Sequence, residues 1–182
     1  MSRNFKQIRF DAQGSTSIEQ MDSDMALEFC KTGIIDIVKT YPNAGERLSE
    51  GYVSDGEPKK LKRQLARVIS IVKENGHVLS PNTDYEIWTD GRLSLPQGKY
   101  QIEYYAFPEL SDLIETDEVP LPEMFTEALP HFLSYKYHGR LEGEADTRTS
   151  YYAEMYNEMC LEAKHFYAAQ QKPKRMPPTR RI

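Results

Sequence analysis

The sequence predicts an α+β fold, mainly α: a small antiparallel helix bundle carrying an inserted β-meander or hairpin region, with extended termini. Three observations lead there. Apolar residues recur at helical spacing in three separated stretches, about 22–41, 122–139 and 145–171. Between the first two, over about 65–107, the period falls to two and turn dipeptides crowd together. The ends, 1–20 and 172–182, follow neither period. They read as an N-terminal arm and a basic, Pro-rich tail flanking one domain over 21–171.

The arm is polar, with a short extended piece expected around Ile8 to Phe10. In the first helix Asp22, Ser23 and Asp24 supply N-cap oxygens and negative charge at the positive end of the helix dipole. Ala26, Cys30, Ile34, Ile37, Val38 and Tyr41 then form one apolar stripe, which Pro42 ends. Gly33 inside the stripe costs up to ~1 kcal/mol relative to Ala, which predicts the close approach of another backbone. Residues 43–58 read as a loop rich in Gly and acids, and 59–65 turn basic.

Val68, Ser70 and Val72 alternate with Ile69, Ile71 and Lys73, and Asn75-Gly76 is a strong hairpin signal; the stretch 64–71 also fits a helix. Pro81-Asn82, Asp90-Gly91 and Pro96-Gln97-Gly98 punctuate further strands at 85–89, 92–95 and 99–107. In the last of these Tyr100, Ile102, Tyr104 and Ala106 share one face. The expectation is an antiparallel meander of four or five strands, too small to hold a core of its own.

From Glu109 to Glu127 the chain carries acids and no base, as a solvated loop or as a surface facing a channel or an arginine-rich partner. Pro122 suits a first helical turn, and Phe125, Ala128, Leu129, Phe132 and Leu133 follow helical spacing, with a kink expected at Pro130. Gly139 and Gly143 bracket a turn. The last helix carries Tyr152, Met155, Tyr156, Met159, Cys160, Ala163, Phe166 and Tyr167 on one stripe, with Glu154, Glu158 and Glu162 opposite. These two helices are expected to pack as an antiparallel pair against Ile34, Ile37 and Val38.

Composition narrows the chemistry. Among 182 residues 39% are hydrophobic and 28% charged, and twelve tyrosines suit subunit interfaces as well as cores. Net charge is −5; taking away the six bases from Lys164 onward (Lys164, Lys172, Lys174, Arg175, Arg180 and Arg181) leaves −11 on the preceding residues. An acidic body is unsuited to wrapping nucleic acid, while the basic tail suits docking on an acidic surface. No apolar run approaches the ~20 residues of a membrane span, so a soluble protein made in a reducing cytoplasm is expected, with Cys30 and Cys160 unpaired. No phosphate loop, Cys-x-x-Cys or His-Glu-x-x-His motif occurs. His131 and His138 lie two helical turns apart, about 10.5 Å, too far for one metal without a third element. The reading is of no enzyme, no cofactor and no metal.

One family matches the order of these signals. Ile102-Glu103-Tyr104-Tyr105-Ala106-Phe107-Pro108 at a strand end, Leu121-Pro122-Glu123 opening a helix with Ala128-Leu129 and Tyr135, and Arg148 through Tyr156 with Tyr151, Tyr152 and Tyr156 resemble the head–tail connector (adaptor) proteins of tailed bacteriophages. The resemblance covers roughly 65–169. Pro130 and the length of 43–58 depart from its pattern. It implies a structural protein of the virion neck, made in the host cytoplasm, in a homo-oligomeric ring, usually of twelve subunits, under the portal protein. Such a ring extends the DNA channel and docks a stopper or tail protein; DNA passes without specific binding. The family has no catalytic residues to carry over. On this reading the portal-docking residues are Lys172, Lys174, Arg175, Arg180 and Arg181, and the β insertion contacts neighbouring subunits. The alternative is a nucleic-acid-binding accessory protein that uses the basic tail; a cell-wall hydrolase is a third reading.

Overall fold

The three helical stripes fold where their spacing put them. In a computed structural model, which describes residues 3–16, 21–142 and 146–170, α2 spans Ser23–Thr40, α3 Glu123–Thr126, α4 Leu129–Glu142 and α5 Thr147–Gln170. The remaining elements are α1 (Phe5–Thr16), a 3₁₀ turn (Pro42–Ala44) and strands β1 (Glu46–Ser54), β2 (Leu65–Lys73), β3 (Glu86–Ile87), β4 (Leu93–Ser94) and β5 (Gly98–Ala106). The fold is α+β, with a helical layer and a small antiparallel sheet, each around its own buried cluster.

The helical core joins Ile34, Ile37 and Val38 of α2 to Phe125, Leu129, Phe132 and Leu133, and to Tyr156, Cys160 and Ala163 of α5. Ring contacts run in opposite sense along α4 and α5. Phe132 meets Tyr156 at 5.0 Å, and further along α4 His138 stacks on the earlier Tyr152 at 5.4 Å, so the two helices are antiparallel. Gly33 is where α2 crosses α4. A methyl there would lie 2.9 Å from both Leu129 Cδ2 and Phe132 Cδ1. The close neighbours are thus side chains, and not the backbone expected from the sequence.

Pro130 does not kink one continuous helix. The chain leaves the single turn of α3 at Glu127 and restarts as α4 at Leu129, which puts Pro130 in a first turn that needs no N–H from it. The Ser134 hydroxyl donates to the Pro130 carbonyl at 2.9 Å.

Residues 5–16 correct the expectation of an extended arm. They form α1, whose Phe5, Ile8 and Ala12 are buried in the helical core. Asn4 and Gln7 cap its start reciprocally: the Gln7 N–H donates to Asn4 Oδ1 at 2.9 Å and the Asn4 N–H to Gln7 Oε1 at 3.0 Å. The Lys6 N–H donates to the Glu115 carbonyl at 2.9 Å and the Val119 N–H to that of Arg3 at 2.9 Å, which stitch α1 to the acidic loop.

Two further corrections concern the sheet. The 43–58 stretch is not all loop, because β1 occupies 46–54. The strands are not a meander either: the order is β1–β5–β2, with β3 and β4 as a separate ladder. β5 has the cleanest apolar alternation and takes the centre, paired from Glu46↔Ala106 to Ser54↔Gly98 on one side and from Leu65↔Ala106 to Lys73↔Tyr100 on the other. The Asn75-Gly76 turn folds Val78 and Leu79 back along β2, with the Leu79 N–H donating to the Ile71 carbonyl at 2.9 Å. Tyr100, Ile102, Tyr104 and Ala106 bury one sheet face against Leu61, Ile71, Tyr85, Leu93 and Leu95. The sheet therefore does have a core, supplied by the 59–95 segment. Gly45 sets the seam between layers: a Cβ there would sit 2.5 Å from the Ala106 carbonyl oxygen.

Candidate interaction site

The seam leaves a cleft of about 560 Å³ on the uncovered side of the sheet. The end of α2 and the 3₁₀ turn contribute Thr40, Tyr41, Pro42 and Asn43; β2 and β5 contribute Arg67, Val68, Ile69 and Tyr105; the last turns of α5 add Lys164 and Ala168. Alternation explains the sheet residues. Tyr105 lies between Tyr104 and Ala106, both turned into the core, so its ring faces outward, and it pairs in register with Arg67. Tyr41 and Pro42 are placed by the helix stop that Pro42 enforces.

This cleft is cationic. Arg67 and Lys164 are exposed, and no carboxylate is among its lining residues. Lys164 Nζ lies 5.9 Å from the Tyr41 ring centre, a weak cation–π contact that holds the ammonium over the cleft wall. Burial holds the Tyr41 phenol above its ordinary pKa, with Cys160 and Asp36 acting in the same direction.

The acidic stretch is more tied down than its composition implied. Glu115 pairs with Arg9 at 2.9 Å, and Arg63 bridges Glu46 at 3.3 Å and Glu109 at 3.1 Å. Asp117 accepts from the Ile114 N–H at 2.8 Å and its own N–H returns to the Ile114 carbonyl at 3.0 Å, closing a tight turn. Ile114 on that turn is 60% exposed.

The groups whose protonation is most disturbed lie in the helical core. Burial pushes the Cys30 thiol up to about 12 and the Cys160 thiol up to about 11. The Tyr156 phenol is raised strongly, by burial first and then by donating to Asp36 Oδ2 at 2.7 Å. None of the three lines the cleft. Both cysteines are free and buried. His131 lines a shallow pocket with Arg3, Asp11 and Glu127, and burial lowers its pKa. His138 is buried against Tyr152. Among the described residues no three His, Cys, Asp or Glu side chains converge as a metal site, and no helix is long and apolar enough to cross a membrane.

The sequence-predicted docking residues Lys172, Lys174, Arg175, Arg180 and Arg181 lie outside the described residues. The cleft has no signature in the sequence because its residues come from four distant segments and share no local pattern. Helix α1 had a usable signal, the Asn4-x-x-Gln7 capping box followed by Ile8 and Ala12. The chain matches no protein-family model and, in a search of curated proteins, no relative.

Proposed function

We propose that this chain is a head–tail adaptor: a structural subunit of the virion neck that forms a ring under the portal protein, prolongs the DNA channel and docks a stopper or tail protein. The observation that carries the reading is one continuous run. β5 ends in Tyr104-Tyr105-Ala106 and leads into Phe107-Pro108, a pinned acidic loop follows, Leu121-Pro122-Glu123 opens α3, and α4 and the Tyr-bearing α5 close as an antiparallel pair. On this reading the helices are the adaptor's small bundle and the strands its β insertion. An acidic body beside passing phosphates keeps the genome from sticking. Four of the twelve tyrosines are core residues, and Tyr151, 54% exposed, and the outward Tyr105 supply area for subunit contacts.

The basic sequence from Lys172 is assigned to portal docking through carboxylates on the portal. The same residues favour the second reading, a nucleic-acid-binding accessory protein, for which DNA binding would weaken steeply with salt and vanish with the tail. Negative-stain images of the full chain, with and without cognate portal protein, test the first reading. Rings capping the portal are the expected result. A protein that forms rings neither alone nor on the portal overturns it.

A further inference from the structure

We propose that the cationic cleft between α2, the sheet and α5 receives the acidic turn of a second copy of this chain, with that copy's Ile114 as the inserted side chain. This deepens the ring reading above and rests on it. The cleft has an apolar floor of Tyr41, Pro42 and Tyr105, an exposed Ile69 and a rim of exposed Arg67 and Lys164. The turn has the complementary character: an apolar side chain 60% exposed, in a segment without a single base, beside the exposed carboxylate of Asp112.

An isolated exposed isoleucine is ordinary on a protein surface. This one differs in being held on a preformed turn. Asp117 ties the Ile114 backbone from both sides, and Glu115 is clamped by Arg9 and by the Lys6 N–H. Little conformational freedom remains to be lost on docking, so the contact keeps most of its favourable free energy. Other occupants fit less well. The chain's own C-terminal sequence is basic and is repelled by Arg67 and Lys164. Duplex nucleic acid would bring phosphates for Arg67 and Lys164 but no aliphatic side chain for the apolar floor.

The knob and the cleft share no residue, so the contact is heterologous. Each copy offers a turn to one neighbour and a cleft to the other. Such a contact repeats head to tail and closes into a ring when the rotation permits. A symmetric dimer does not satisfy it.

The test uses the full chain, with assembly followed by analytical ultracentrifugation over a concentration series and by imaging on cognate portal protein. Ile114→Asp, Arg67→Glu and Lys164→Glu alter exposed side chains, and far-UV circular dichroism reports that the fold is kept. Ile114→Asp and at least one of the two charge reversals should each weaken assembly about tenfold or more. Adding Asp112→Lys to the reversal that faces it should recover assembly, which a merely unfavourable surface would not do. If wild type forms rings and all three variants form them equally well, the contact lies elsewhere and the ring reading stands. If wild type forms no ring alone or on the portal, the ring reading falls and this inference with it. Duplex DNA binding that Arg67→Glu abolishes would reassign the cleft to nucleic acid and overturn the proposal.

Discussion

Replacing Gly33 by Ala sets two known effects against each other at one atom. Ala is the better helix former by ~1 kcal/mol, so the substitution stabilises α2 as a helix. The new methyl, however, sits 2.9 Å from Leu129 Cδ2 and 2.9 Å from Phe132 Cδ1, well inside the ~3.5–4.0 Å of a comfortable carbon contact. Leu129 is 0% exposed and Phe132 3%, so neither can swing into solvent. Overpacking of this kind costs ~1–3 kcal/mol, which leaves Gly33→Ala destabilising by about 1 kcal/mol. Leu129→Ala alone should cost about 2–5 kcal/mol through the cavity it leaves. In that background only the Phe132 contact remains and its ring can shift into the space Leu129 vacates, so the second substitution should become neutral or stabilising by up to ~1 kcal/mol. The coupling is then about 1–2 kcal/mol in favour of the double variant, above the ~0.3–0.5 kcal/mol scatter of independent sites. Urea denaturation of the four proteins, followed by far-UV circular dichroism, measures it. A Gly33→Ala protein more stable than wild type by the full helix-propensity gain, or strict additivity, would refute the crossing geometry.

The buried thiols should be silent toward a disulfide-exchange reagent at mildly alkaline pH in the native protein and react fully in denaturant; native-state labelling of either cysteine would contradict their burial. Because the folded thiols titrate at about 12 and about 11 against 9.0 for the free group, the stability they contribute is complete below pH 9.0 and declines as pH rises toward those values. A denaturation midpoint that rises over that interval would reverse the sign. Tyr156→Phe removes the bond to the Asp36 carboxylate and should lower stability by about 1–2 kcal/mol while keeping the Phe132 ring contact; an unchanged urea midpoint would discount that bond. Truncation after Gln171 should leave the urea midpoint unchanged and abolish capture by immobilised portal protein, and undiminished capture would move docking to the helices.

The helical layer was legible because its stripes are long. Ala26 through Val38 and Tyr152 through Tyr167 each repeat the period over several turns, and the partner faces were the ones left apolar; Phe166, expected on the second stripe, is instead 46% exposed. β5 was legible for the same reason, at period two. β1 was not. Glu46, Arg47, Ser49, Glu50 and Gly51 look like a loop because the strand lies at a sheet edge, and the face it turns toward the buried side carries Glu50 and Ser54 beside Leu48 and Tyr52. Its place comes from β5, fifty residues away, and no local pattern carries that pairing. The sheet core was underestimated for a related reason: Leu61, Leu93 and Leu95 sit in short or irregular segments whose burial depends on one another. α1 was overlooked because three buried side chains among polar neighbours make a weak stripe. The cleft is legible in none of its contributing segments alone.

The strand order has a consequence for synthesis of the chain. β5, which both β1 and β2 need as their antiparallel neighbour, is made last. At ~5–20 residues per second, the 52 residues from Ser54 to Ala106 take the ribosome about 3–10 s. Throughout that interval β1 has no hydrogen-bonding partner of its own. The nascent sheet is therefore most vulnerable to pairing with the wrong strand while Leu48, Tyr52, Val68 and Ile71 wait for Tyr100, Ile102 and Tyr104 to emerge. The charges on β1 at Glu46, Arg47 and Glu50 act in that window, discouraging association between unfinished chains.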